Sequence, residues 1–192
     1  MRNRHESPMR IDAGSHRGVR LATPEGLDTR PTADRARQAV FNILMNTYDA
    51  VRGAKVLDVF AGSGAMGLEA LSRGAERASF IEIDRTAAET IKTNIAACRE
   101  QPQAQLFIND ALKPPRVAAN WGPASLVFLD PPYGKDLLVP TLNALRDAGW
   151  LAPEALLVAE MHRKDALVTP EGIEVLDDRE YGKARIALLR AA

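Results

Sequence analysis

Asp58-Val59-Phe60-Ala61-Gly62-Ser63-Gly64-Ala65-Met66-Gly67 carries the strongest fold signal in the sequence. It continues Lys55-Val56-Leu57, so a short apolar run closes on an acid and then on Gly62-x-Gly64-x-x-Gly67. An apolar run of that length bounded by glycine reads as a buried strand. The glycines let the chain turn tightly and approach a ligand, and a helix from about Met66, ended by Gly74, offers free N–H groups at its start. Strand, glycine turn and helix together open an α/β sheet that binds ligands beyond the carboxyl ends of its strands.

The pattern repeats downstream. Ala78 to Ile83 reads as a second strand, and Asp84 can cap a helix that carries Ala87, Ile91, Ile95 and Cys98 on one face. Strands follow at Gln105 to Asn109, Leu126 to Leu129 and Ala155 to Ala159, with a helix over roughly Leu137 to Ala148. Ile173 to Leu189 reads as two last strands joined at Tyr181-Gly182-Lys183, which gives an antiparallel edge. The expected fold is an open, doubly wound, mostly parallel α/β sheet.

Upstream, Arg10 to Ala13 and Gly18 to Leu21 flank Gly14-Ser15-His16-Arg17 as a hairpin-like unit. A helix follows with Thr32 as its N-cap and Ala36, Val40, Ile43 and Thr47 at helical spacing, Phe41 and Leu44 beside them. The expected organisation is a flexible extension over 1–8, a hairpin and helix over 9–50, and a catalytic domain over 51–192.

Bulk charge names no partner, since Lys plus Arg equals Asp plus Glu at 25 each. Residues 1–40 hold eight arginines against five acids, a local excess that leaves the remainder acidic. A lone cysteine, no zinc-type cluster and no apolar run of membrane-spanning length suit a soluble protein of the reducing cytoplasm that needs no metal.

The acids at successive strand ends, Asp58, Glu82, Asp110 and Asp130, can meet in one crevice. Glu82 stands where an acid takes ribose hydroxyls, a spacing that a dinucleotide fold shares. Asp58 beside the glycine loop opposes a pyrophosphate and suits a ligand with an ammonium and a sulfonium, as S-adenosylmethionine has. Asp110 can accept from an adenine amino group with Ile83 against the ring; Phe60 and Ala111 complete the candidate cofactor set. Asp130-Pro131-Pro132-Tyr133 is a stiff turn rich in acceptors. Asp130 and the Pro131 carbonyl can hold an exocyclic amino nitrogen with its lone pair aimed at a methyl carbon, and Tyr133 can stack on a flipped-out base. Pyrimidine C5 chemistry needs a cysteine nucleophile, and Cys98 sits mid-helix.

The Asp58–Gly64 string, Gly67-Leu68-Glu69-Ala70-Leu71-Ser72-Arg73-Gly74-Ala75, Phe80-Ile81-Glu82-Ile83-Asp84 and Asp130-Pro131-Pro132-Tyr133 resemble the bacterial small-subunit ribosomal RNA guanine-N2 methyltransferases. The likeness extends to Gly14-Ser15-His16-Arg17-Gly18 and to Thr29-Arg30-Pro31-Thr32-Ala33-Asp34-Arg35-Ala36-Arg37, and covers Met9 to the end. The resemblance implies a seven-stranded, Rossmann-like class I methyltransferase fold. It also implies methylation of one guanine N2 in 16S ribosomal RNA, on an assembled or partly assembled subunit. Arg17, Arg30, Arg35 and Arg37 then become candidate RNA phosphate contacts. The rival readings are an adenine-N6 methyltransferase, a silent RNA-binding factor that keeps the fold, and a nicotinamide oxidoreductase; the last leaves Asp58 and the Pro-Pro turn unexplained.

Overall fold

The computed structural model describes residues 9–24 and 31–192, with side chains of the first helix from Arg35 onward. The elements are α1 (Pro31–Asn46), β1 (Lys55–Val59), α2 (Ala65–Ser72), β2 (Arg77–Glu82), α3 (Arg85–Cys98) and β3 (Ala104–Ile108), followed by β4 (Ala124–Leu129), α4 (Leu138–Asp147), β5 (Leu151–His162), β6 (Ile173–Tyr181) and β7 (Ala184–Ala191). One seven-stranded sheet runs in the order β3-β2-β1-β4-β5-β7-β6. β1 to β5 are parallel, and β7 is antiparallel to both of its neighbours. The antiparallel edge is therefore present, with β7 as the reversed strand and β6 outermost. Charged Glu174, Asp177, Asp178, Arg179 and Glu180 along β6 protect that open edge from pairing with another chain.

Alternation along the strands sends side chains to two cores. On one face Val56, Phe80, Leu126, Phe128 and Val158 pack with Leu68 and Leu71 of α2, Ile91 and Ile95 of α3, and Val40, Phe41 and Leu44 of α1. The other face joins Leu57, Val59, Ile81, Val127 and Leu157 to Leu138, Leu142 and Leu145 of α4 and to Trp150. No helix lies between β3 and β4; the connection is tied down by Trp150 Nε1 donating to the Pro115 carbonyl at 2.7 Å.

Local chemistry explains the boundaries. Asp84 accepts the Ala87 N–H at 2.8 Å and starts α3 as an N-cap. β5 outgrows its expected span at both ends. Its first residues pair across an irregularity that takes in Pro153 and Glu154, and its last, Glu160 to His162, pair with β7 although polar residues break the apolar run. α1 stops at Asn46, so Thr47 is exposed, and its buried stripe is Ala36, Arg37, Val40, Phe41 and Leu44. Residues 10–20 close through a single antiparallel bridge, Arg10 to Arg20, rather than two strands. Ile11 and Leu21 from this loop enter the same core as α1 and the sheet, so the loop and α1 pack into the α/β body. α1 already starts at Pro31, so Thr32 lies inside its first turn and not at the expected N-cap position. Residues 1–8 and Arg30 lie outside what is described.

Candidate active site

Four carboxylates stand on one face of the sheet at the carboxyl ends of its strands. Asp58 is in register with Phe80 and Phe128, and Phe128 with Val158. Glu82, Asp130 and Glu160 each follow one of those partners by two residues, so alternation puts them on the Asp58 side. α1, α2 and α3 cover this same face.

Asp58 is 4% exposed, and its Oδ2 accepts the Gly67 N–H at 2.9 Å, which pins the first turn of α2 to β1. Burial, opposed by that hydrogen bond and reinforced by the Glu82 charge, pushes its carboxyl up to about 7. Glu82 bridges the loop: Oε2 accepts from Gly62 N–H at 2.9 Å and Oε1 from Asp84 N–H at 2.8 Å. Gly62 and Gly64 both have left-handed φ, 56° and 75°, which side chains rarely tolerate. Gly67 is needed for closeness instead, since a Cβ there would sit 2.4 Å from the Phe80 ring. Phe60 is itself left-handed at φ 61°, and Phe60 and Ala61 both donate to the Ile81 carbonyl. Backbone strain of this kind gathers where a chain is bent to make a site.

Beyond the next strands, Asp110 Oδ1 accepts the Leu112 N–H at 2.9 Å and Ala111 is buried. Large apolar side chains stand exposed in successive connections: Ile83, at 63%, after β2, Leu112 after β3 and Tyr133 after β4. Exposed apolar groups gathered at strand ends are unusual for a closed surface and suit a ligand with a flat apolar part.

Asp130 N–H still reaches the Val59 carbonyl at 3.4 Å, after which Pro131 is buried and Pro132 and Tyr133 are exposed. Asp130 is open to water from the crevice while protein surrounds it. That crowding, with the charges of Glu160 and Asp58, lifts its carboxyl well above the ordinary range. The Tyr133 hydroxyl donates to Glu160 Oε1 at 3.0 Å, and its ring meets His162 edge-on at 5.6 Å. Burial raises Glu160, and the tyrosine hydrogen bond opposes the rise.

Glu160 and His162 were not among the candidates read from sequence. Glu160 does carry the signal that marked Asp58, Glu82 and Asp130, an acid at the end of an apolar strand, and His162 gives none. Arg37 corrects an expectation. It is 7% exposed, donates from Nε to Asp12 Oδ2 at 3.0 Å and from Nη2 to the Arg10 carbonyl at 3.0 Å, and so ties α1 to the N-terminal loop instead of facing a ligand. Arg17 and Arg35 are exposed. Cys98 is buried at the end of α3, where burial and the Glu100 and Glu69 charges push its thiol up to about 11; it has no nucleophilic character at neutral pH.

Two surface hollows lie elsewhere, one between Pro114 and Asn143 and the other around Gly172 and Arg190. Neither gathers the strand-end acids, so the chemistry of the strand ends locates the site. Among the described residues no helix is long and apolar enough to cross a membrane.

Comparison with known proteins bears on the family and the fold. The family model described as Conserved hypothetical protein 95 matches residues 9–190. Ribosomal RNA small subunit methyltransferase D of Escherichia coli (strain K12) is 40% identical over 161 residues, 84% of this chain and 78% of that relative. A protein named putative rRNA methyltransferase in Bacillus subtilis is 35% identical, covering 95% of this chain and 98% of its own length. The solved structure of a putative methyltransferase from Escherichia coli superposes with a TM-score of 0.81 at 36% identity, covering 95% of this chain and 97% of that one. Family match and superposition span nearly all of the described fold, and this chain belongs to the Conserved hypothetical protein 95 family of methyltransferases.

Proposed function

We propose that this protein transfers a methyl group from S-adenosylmethionine to the N2 amino nitrogen of one guanine in small-subunit ribosomal RNA, within an assembled or partly assembled subunit of the cytoplasm. The observation that carries the reading is the emergence of Asp130-Pro131-Pro132-Tyr133 on the face and at the sheet end where Asp58 and Glu82 hold the glycine loop. The named relatives act on ribosomal RNA by their names, which supports the substrate class.

The residues fit the cofactor. Asp58 is a buried acid that has no cation beside it among the described residues, and an ammonium placed there would relieve its ionised form. Each Glu82 oxygen accepts one backbone N–H and keeps a second lone pair for ribose hydroxyls. Ile83 offers an apolar face to the adenine and Asp110 an acceptor to its amino group, with Phe60 and Ala111 bordering them. When bound, the sulfonium supplies an activated methyl and a neutral leaving group.

The chain's own part is to position and to take a proton. Asp130 and the Pro131 carbonyl accept the two N–H bonds of the amino group, which turns the nitrogen lone pair out of conjugation and toward the methyl. The raised carboxyl of Asp130 makes it basic enough to receive the proton the nitrogen sheds as the new bond forms. Tyr133, fixed by Glu160, presents its ring to the base. Arg17 and Arg35, with Arg30 before α1, hold phosphates.

The nearest rival is the same transfer to adenine N6, because the turn does not encode the base. Labelled cofactor with small ribosomal subunits or with duplex DNA separates the two. N2-methylguanine in 16S RNA is expected, and 6-methyladenine as the product would overturn the assignment.

A further inference from the structure

Four exposed cations ring the outer side of the catalytic turn: Lys135, Arg163, Lys164 and Lys183. None of them enters an ion pair among the described residues, unlike Arg146, Arg179 and Arg185, which face acids. They come from three connections that leave the sheet at one end. β4 and β5 are parallel, and β6 runs with β5 because β7 is antiparallel to both. The β4–α4 loop, the β5–β6 loop and the β6–β7 turn therefore all open beside Asp130.

Short contacts lock these loops together. Tyr133 meets both Glu160 and His162, the Lys164 N–H donates to His162 Nδ1 at 3.2 Å, and the Arg163 N–H donates to the Lys183 carbonyl at 2.9 Å. Besides Asp130, three acids share these connections. Glu171 lies at the other end of the β5–β6 crossover, where its carbonyl accepts from Arg146. Asp136 is exposed, and the Asp165 carboxylate accepts the His162 N–H at 3.2 Å, so the four cations exceed these two rim acids by two.

We infer that Lys135, Arg163, Lys164 and Lys183 form a second docking surface for RNA, gripping the phosphodiester strand beside the catalytic turn. The inference rests on the proposed RNA substrate and extends it to the C-terminal half of the chain. The physical need is plain. The crevice floor carries Asp58, Glu82, Asp130 and Glu160, which attract a cationic cofactor and repel a polyanion. A nucleotide that enters brings its phosphates to the rim, where unpaired cations offset that repulsion and set the strand's register.

The test is the salt dependence of binding to a fluorescein-labelled single-stranded RNA, read by anisotropy, for wild type and for R163Q/K164Q/K183Q. For single strands each neutralised phosphate adds about 0.7 to the slope of log affinity against log salt. The triple variant should lose about two from that slope and bind at least about tenfold more weakly, with S-adenosylmethionine affinity unchanged. K92Q/R146Q, which removes exposed cations elsewhere, should keep the wild-type slope. An unaltered slope and affinity in the triple variant, or an equal loss in the control, overturns the inference. If wild type shows a rim-dependent slope but methylates no ribosomal RNA, the rim stands and the proposed activity falls; methylation with no rim dependence gives the reverse.

Discussion

Replacing Asp58 by asparagine should stabilise the cofactor-free protein while it disables cofactor binding. The Asp58 carboxyl titrates at about 7 in the folded protein against 3.8 as its ordinary value. Between those values the native state keeps a proton that the unfolded chain has released, so this group's contribution makes stability fall as pH rises. At about 1.4 kcal/mol per pH unit, the interval from pH 5 to pH 7 costs wild type about 3 kcal/mol. Asparagine holds no such proton and still offers an oxygen to the Gly67 N–H. The stability of Asp58→Asn relative to wild type should therefore climb by about 3 kcal/mol from pH 5 to pH 8, roughly 6–12 °C in melting temperature for a chain of this size. Thermal melts followed by circular dichroism at constant ionic strength measure it. Binding titrations complete the experiment: only ionised Asp58 attracts an ammonium, so wild-type affinity for S-adenosylmethionine should rise about tenfold from pH 6 to pH 8. The variant should bind weakly at both. A melting difference that stays flat with pH, or an asparagine variant that binds as tightly as wild type, refutes the reasoning.

Other positions give separable outcomes. Gly67→Ala forces a methyl to within 2.4 Å of the Phe80 ring, and should cost about 1–3 kcal/mol in denaturant unfolding and weaken cofactor binding with it. Glu160→Gln keeps an acceptor for the Tyr133 hydroxyl but removes one of the charges that add to burial in lifting Asp130, so the acid limb of the pH–rate profile should move to lower pH. Tyr133→Phe keeps the ring and loses its tether, and kcat/KM for the RNA should fall about tenfold with cofactor affinity unchanged. Arg37→Gln leaves the Asp12 carboxylate without its cation, and should cost about 1–3 kcal/mol in stability while the salt slope of RNA binding stays at the wild-type value.

Much of this molecule was legible because its signals are local. The Asp58–Gly67 stretch, the Asp84 cap and the apolar strand runs each declare themselves within ten residues, and the structure has each where the pattern put it. What the sequence hid depends on pairing between distant strands. β5 reads as five residues because Pro153, Glu154, Glu160 and His162 spoil its pattern, yet β4 and β7 supply the ladder that carries it to twelve. Glu160 becomes part of the site only because that ladder sets it one rung beyond Leu129 and Ala159, beside the turn. Arg37 misled for the opposite reason. Its arginine neighbours suggested a surface, whereas the partner that draws it inward, Asp12, is 25 residues away.

The central claim is that Asp130 and its turn carry out amino-nitrogen methylation. The most direct test is mass-spectrometric mapping of 16S RNA from small subunits incubated with labelled cofactor and either wild type or Asp130→Ala, at matched cofactor and RNA binding. Wild type should give a single N2-methylguanine, and transfer should collapse by a hundredfold or more, on the order of 3 kcal/mol, with the variant. An undiminished rate in Asp130→Ala would contradict the claim.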